Sequence, residues 1–215
     1  MPSEVTGGID VERADGTRTR REEYAEATHD ALLDSASDCF MEKGFASTSL
    51  DEVARGARVT KGAIYHHFSS KKELFHALLD RQEEVSVATV LAAADEVDDA
   101  WDAIVHAFDS FLELVSEPHY QRLCWVEGPS ALGFEEWWDC GERYQIGVIR
   151  TLLERAAAAG LLAVSDVDML ARVLFGAVVA GVLAMARSEQ PRVERGRFRS
   201  VMLDVMAGLV RSAPE

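Results

Sequence analysis

The segment from Gly44 to Phe75, GFASTSLDEVARGARVTKGAIYHHFSSKKELF, is punctuated so closely that only short helices fit into most of it. Ser49-Leu-Asp-Glu52 places a hydroxyl at a helix start and a carboxylate three residues on, a reciprocal pair that satisfies two orphan backbone N–H groups. Ser70-Lys-Lys-Glu73 repeats the pattern, and Thr60 can cap another helix between the two. Leu50, Val53, Ala54 and Ala57 recur at helical spacing, as do Ile64 and Phe68. The spacing predicts helices from Leu50 to about Ala57, from Lys61 to about Phe68, and from Ser70 onward through Leu74, Phe75, Leu78 and Leu79. Before them a longer helix runs from about Arg21 to Lys43, with Ala31, Leu32, Ala36, Cys39 and Phe40 on its apolar face and Gly44 at its end. Two short helices joined by a tight turn at Ala57-Arg58-Val59, inside a three-helix unit, make a helix-turn-helix.

With Ile64 and Phe68 turned inward, Thr60, Lys61, Gly62, Ala63, Tyr65 and His66 are free to point outward. The charge of this region differs from that of its surroundings. The 215-residue chain has a formal net charge of -15, yet residues 44–72 hold five basic side chains against two acidic ones. Residues 81–215 hold 12 basic and 22 acidic side chains. A small basic module on an acidic body fits a local contact with a polyanion. A helix N-terminus with small residues and free N–H groups suits phosphate, and Lys71 at the next helix start adds a second expected anchor. His66 and His67 are a poor metal pair, because adjacent helical residues point about 100° apart. Ser69 and Ser70 are better used as turn and cap residues than as nucleophiles. No metal, cofactor or enzymatic activity is expected.

The remainder reads as all-α, with helices expected at 81–94, 99–116, 118–127, 133–159, 166–188 and 195–211. The predicted organisation is a polar tail over residues 1–20, a helix-turn-helix domain over 21–80 and a larger helical domain over 81–215. No apolar run reaches the roughly 18 uncharged residues of a membrane helix. The nearest, Val173 to Ala186, reads as a buried or interface helix, and no secretory signal precedes the domain, so a cytoplasmic protein is expected. Gly176, Ala177, Ala180, Gly181 and Ala184 lie close to one stripe of that helix and permit close approach of another; the last helix offers Phe198, Val201, Met202 and Val205. All four tryptophans fall between residues 101 and 138. The cluster Trp101, Phe108, Phe111, Tyr120, Cys124, Trp125, Trp137, Trp138 and Tyr144, with His106 as a polar member, marks a candidate small-molecule cavity. Three cysteines without a CxxC pair argue against a disulfide framework.

The stretch FMEKGFASTSLDEVARGARVTKGAIYHHFSSKKELF, within a match from about Ala27 to Leu79, resembles the tetracycline-repressor family of bacterial transcription regulators. The segment LCWVEGPSALGFEEWWDCGERY is similar to a C-terminal subtype seen in some members. The resemblance implies an all-helical homodimer whose third helix enters the DNA major groove. Lys61, Gly62, Ala63 and His66 would then face bases, Ser49, Tyr65, His67 and Lys71 would contact phosphates, and Thr48 and Thr60 could do either. It also implies a four-helix dimer interface built from the last two helices, a palindromic operator, and a repressor released by a small-molecule effector. Arg58 stands where the family usually has glycine; a left-handed backbone there would be strained, and the side chain could instead reach a phosphate. Two alternatives remain open: a thiol sensor using Cys124 or Cys140, and an interaction module that has lost DNA binding.

Overall fold

Alanine, leucine and closely spaced caps produce helices through nearly all of the residues that the computed structural model describes, 19–162 and 166–209. The polar tail expected over residues 1–20 lies almost wholly outside them, as do the last residues of the final predicted helix. Helix α1 (Arg20–Ser47) opens on a capping box of Thr19 and Glu22, and its regular winding breaks at Gly44, whose φ is +79°. Helices α2 (Leu50–Gly56) and α3 (Lys61–His67) follow, N-capped by Ser49 and Thr60. The Ser49–Glu52 capping box is complete. At Ser70 the side chain accepts from Glu73 N–H, but the Glu73 carboxylate turns to Ser69 instead.

Helix α4 (Lys71–Ala94) runs unbroken across the boundary expected between residues 80 and 81, so one rigid rod belongs to both halves of the chain. It pairs most extensively with α5 (Ala100–Leu114), whose start is capped by Asp99. Helix α6 begins at Pro118–Tyr120, widens into a π-helical turn at Gln121–Glu127 and closes as Gly128–Leu132. The Gly128-Pro129 pair does not end it, because a proline in the first turn of the Gly128–Leu132 helix tolerates the lost N–H; the break falls at Gly133, with φ +85°. Helix α7 comprises Phe134–Gly141, a second π-helical turn at Glu142–Ile146, and Gly147–Ala158. Helices α8 (Val167–Arg187) and α9 (Pro191–Ala207) complete the described chain, α9 starting at Pro191 instead of residue 195.

The core is continuous between the two halves. Leu32, Phe40, Val53, Ile64, Leu74 and Phe75 close the head around α4, and Leu112, Leu123, Leu153 and Met185 close the body. Each such side chain contributes about 1.5–3 kcal/mol by leaving water.

Helices α8 and α9 behave differently from the rest. By length and composition α8 could cross a membrane, but 39% of its most apolar window is buried within the chain. Val173 is 60% exposed, and on α9 Val201 and Val205 are 59% and 51% exposed. The expected interface residues therefore divide. Gly176, Ala180 and Ala184 face open space or solvent, with Val201 and Val205. Ala177 packs partly against the core. Gly181, Phe198 and Met202 serve the chain itself. A methyl on Gly181 would come within 2.2 Å of the Phe198 ring, that ring packs edge-on against Phe108 at 5.6 Å, and Met202 is buried. Helical spacing marked a common stripe but did not indicate that a bulky neighbour from α9 already fills it.

Gly181→Ala should accordingly lower the unfolding free energy by about 1–3 kcal/mol, the usual cost of overpacking. Denaturant titration would show this, and an unchanged midpoint would contradict the α8–α9 packing.

Candidate nucleic-acid interface and ligand cavity

Helix α3 is held by its inward residues. Ile64 is fully buried and Phe68 nearly so, while Thr60, Lys61, Gly62, Tyr65 and His66 are exposed and Ala63 is half-buried. The Thr60 hydroxyl accepts from Ala63 N–H at 3.2 Å, which fixes the helix start. Lys61 is paired with Asp51 at 2.8 Å, with its ammonium 5.8 Å from the Tyr65 ring. Arg58 is exposed with φ +58°, the sole non-glycine with positive φ among the described residues. A left-handed arginine costs roughly 1–2 kcal/mol. Ser49, exposed, is occupied as the α2 N-cap.

Three of the expected DNA contacts are turned elsewhere. Thr48 is buried, and its hydroxyl donates to the carbonyls of Gly44 (2.9 Å) and Cys39 (3.2 Å). The Lys71 ammonium donates to three carbonyls at the end of α1: Phe45 at 2.6 Å, Thr48 at 2.8 Å and Ala46 at 3.2 Å. It also lies 4.4 Å from the Phe45 ring centroid. Lys71 thus caps the end of α1 instead of standing as a free phosphate anchor. His67 leans on His29 and Phe68, and burial, reinforced by the charges of His29 and His66, lowers its pKa, so it is neutral at pH 7. The outward set that remains is Thr60, Lys61, Gly62, Tyr65 and His66, with Ser49 and Arg58 beside it.

In the body, a cavity of about 70 Å³ lies between α4, α5, α7, α8 and α9. Its walls are almost wholly apolar, including Ile104, Phe108, Phe111, Leu152, Leu174 and Met202; Gln145 is the polar exception. Only Phe108 and Phe111 of the expected pocket residues line it. Cys124, Trp125, Trp137 and Trp138 instead line a neighbouring cavity of about 20 Å³. His106 faces an open cleft on the outside of α4 and α5, and Trp101 and Tyr144 are half-buried away from all three spaces. Tyr120 is buried and donates its hydroxyl to Glu83 at 3.1 Å.

Composition did not single out Glu83. It is a buried carboxyl on α4 that also accepts from the Gln145 amide at 2.5 Å, while Gln145 reaches Ser86 at 3.3 Å. An acidic residue next to another, Glu84, in a long helix carries no sequence signal of burial. The break in apolar periodicity it makes, in step with Ser86, was the one available hint.

A hydrogen bond joins body to head. The Glu127 carboxylate, at the end of the π-helical turn that carries Cys124 and Trp125, accepts from Phe45 N–H at 2.9 Å. Close by, His119 bonds Ser37 at 2.6 Å.

Residues 32–78 match the family described as bacterial regulatory proteins, tetR family, and residues 101–209 match the tetracyclin repressor-like C-terminal domain. The chain belongs to the TetR family. It is a DNA-binding transcriptional regulator, a class that is not enzymatic. Over 159 residues it is 26% identical to the transposon Tn10 TetC protein of Escherichia coli, covering 74% of this chain and 80% of that one. It is 36% identical to the regulator TtgR of Pseudomonas putida over 106 residues, 48% of this chain and 50% of TtgR. A TetR-family regulator from Pectobacterium atrosepticum superposes with a TM-score of 0.77 at 26% identity, covering 92% of this chain and all of the other. SmeT, the repressor of the Stenotrophomonas maltophilia multidrug efflux pump SmeDEF, gives 0.68 at 25% identity, with 89% and 98% covered.

In this TetR family member the Cys124 and Cys140 thiols are poorly placed for sensing. Cys124 and Cys140 are buried; burial pushes the Cys124 thiol well above its ordinary pKa and that of Cys140 up to about 12. Reactive cysteines are low-pKa and accessible.

Two expectations follow. Lys71→Met removes a donor shared by three carbonyls, of which Phe45 keeps the Thr48 N–H at 3.3 Å, and should lower stability by roughly 1–3 kcal/mol, with the salt dependence of DNA binding unchanged; intact stability with a flatter salt slope would return Lys71 to the phosphate contacts. The second concerns Glu83, whose pKa is raised by burial against the opposing Gln145 and Tyr120 donors, with Asp80 adding to the rise. Such a carboxyl keeps its proton where the unfolded chain, with a pKa near 4.5, has lost it. Its contribution to stability is therefore full below that pH and is lost as pH rises toward the folded value. Glu83→Gln has no proton to lose, so thermal unfolding at about pH 5 and about pH 8 should show the variant gaining on the parent at the higher pH. A constant or shrinking difference would contradict the buried-carboxyl assignment.

Proposed function

We propose that this regulator is a homodimeric repressor that binds a roughly palindromic operator in the cytoplasm and is released by a small molecule in the body. The observation that carries the reading is the Glu127–Phe45 hydrogen bond. The π-helical turn that ends at Glu127 also presents Cys124 and Trp125 to the smaller cavity. A ligand that widens the body moves this turn, and the turn holds the backbone where α1 hands over to the helix-turn-helix. The ligand then favours one head arrangement by its differential affinity for the two. The likeness to SmeT, itself a repressor, supports the direction of control.

The exposed Val173, Val201 and Val205 support pairing of α8 and α9 with a second copy. Two α3 helices would then enter successive major grooves about 34–36 Å apart, or a multiple of it. Lys61, Gly62, Ala63 and His66 are assigned to bases, and Ser49, Tyr65 and Arg58 to phosphates. Lysine can donate to guanine O6 or N7, and Ala63 can touch a thymine methyl.

Selection from randomised duplexes at two salt concentrations should return a palindromic consensus, and sedimentation should show a dimer. Val201→Glu combined with Val205→Glu should yield monomers that bind the selected operator at least tenfold more weakly. Dimers that persist in the double variant would displace the interface from α8 and α9. A consensus without two-fold symmetry, or no sequence-specific binding, would favour a non-dimeric reader or an interaction module.

A further inference from the structure

The larger cavity accounts for an apolar effector and leaves the polar groups beside it unused. Gln145 and Phe175 line both cavities and form the partition between them. Beyond that partition the walls are Glu83, Cys124, Cys140 and the indoles of Trp125, Trp137 and Trp138. Trp137 donates its Nε1–H to the Cys124 carbonyl at 2.8 Å. Trp125, edge-on to it at 5.7 Å and 6% exposed, has a buried Nε1–H with no acceptor. Buried donors are nearly always paired, and an unpaired one at a cavity wall is a place for a ligand's acceptor. Glu83, also 6% exposed, has the opposite deficiency. Its carboxyl is met by the neutral donors of Tyr120 and Gln145, and among the described residues no lysine or arginine pairs with it. The charge that acts on it is that of Asp80, also acidic, which Arg143 approaches at 3.5 Å. Burial of a carboxylate without a cationic partner is costly, which is why the group favours its protonated form, and an ammonium that displaces the Gln145 amide would stabilise the ionised form. The surrounding aromatic faces favour a cation in the same place.

We propose that the smaller cavity is the head-group end of the effector site and takes an organic amine cation that carries an oxygen acceptor close to the nitrogen. The nitrogen donates to Glu83, the oxygen accepts from Trp125 Nε1–H, and the apolar body fills the larger cavity. Gln145 swings aside as the nitrogen takes over its place on Glu83, and this joins the two spaces. At about 70 and 20 Å³ they are too small separately for such a molecule, since ligand sites usually measure about 300–1,000 Å³. The expansion presses on both π-helical turns, which carry Trp125 and Gln145; such turns recur at functional sites because they can change register locally. The inference rests on the reading of the larger cavity as the effector site, and adds the chemical class of the effector.

Four probes share one phenylbutyl body: 2-(diethylamino)ethyl 4-phenylbutanoate, 4-phenylbutylamine, ethyl 4-phenylbutanoate and 4-phenylbutanoate. Calorimetric titration of the full-length protein should rank them in that order, with the anionic acid not binding. Glu83→Gln should weaken both amines roughly 10- to 100-fold, the worth of a hydrogen bond to a charged group, and leave the neutral ester unchanged. Trp125→Phe should remove the advantage of the amino ester over the simple amine and leave the simple amine's affinity within a few-fold. Equal binding of the acid and the amine, or an unchanged ranking in Glu83→Gln, would overturn the proposal. The same samples titrated with labelled operator separate the two readings. Specific operator binding with no amine binding would sink this inference and leave the regulator reading standing. Amine binding without operator release would establish the head-group site and sink ligand release.

Discussion

The reversal of the chain between Gly44 and Ser49 governs the rest of the structure. There α1 ends, the helix-turn-helix begins, and carbonyls that have lost their helical partners must find donors. One ammonium, from Lys71, supplies three of them, and the Thr48 hydroxyl supplies Gly44. On the other side Glu127 takes the Phe45 N–H. The head is therefore fastened to α4 by a lysine and to the body by a glutamate, through backbone atoms of the same short loop. A backbone clamp of this kind uses none of the outward side chains of α3. It also makes the orientation of that surface depend on where α6 sits.

The local chemistry of the head was legible in its sequence. The Ser49–Glu52 box, the Thr60 cap and the inward Ile64 and Phe68 all follow from interactions within a few residues of one another, whereas the family resemblance offers the left-handed backbone of Arg58 only as one option. What was not legible depends on contacts distant in the chain. Lys71 looks like a phosphate anchor from its place at a helix start, and only the fold shows that α1 carbonyls lie within its reach. Trp125, Trp137 and Trp138 do gather while Trp101 stands apart, since periodicity gives a residue's face and not the neighbour opposite it. Trp125 and Trp137 therefore belong to the smaller space and leave the larger one to aliphatic residues and Phe108 and Phe111. The two π-helical turns have no sequence signature, since each inserts a register change into an otherwise ordinary helical pattern.

Three features break local rules at a cost: the positive φ of Arg58, the unpaired Trp125 N–H and the unpaired carboxyl of Glu83. Strain and unsatisfied polar groups persist where the surrounding structure over-determines them, and they concentrate at sites that bind or switch. Here the positive φ lies beside α3, and the Trp125 N–H and the Glu83 carboxyl lie at the smaller cavity. Buried desolvation at Glu83 is tolerable because α4 is held along its length by α1, α5 and α7.

The charge distribution places a limit on how a single head could work. The body carries an excess of acidic side chains, and on α3 the exposed lysine is Lys61, already neutralised by Asp51. Binding must break that pair, so part of the phosphate or base attraction is spent on replacing an existing contact. With few cations at the interface, little affinity comes from counterion release, which scales with the number of phosphates neutralised. Affinity has to come from geometry. In the proposed dimer, two weak heads would act as one ligand, the second binding at the effective concentration set by the first, provided that their spacing matches the grooves. By the same arithmetic, a small displacement would be enough for the proposed release. When avidity supplies most of the binding, a shift of α6 that misplaces the heads forfeits it without altering a single DNA contact on either one.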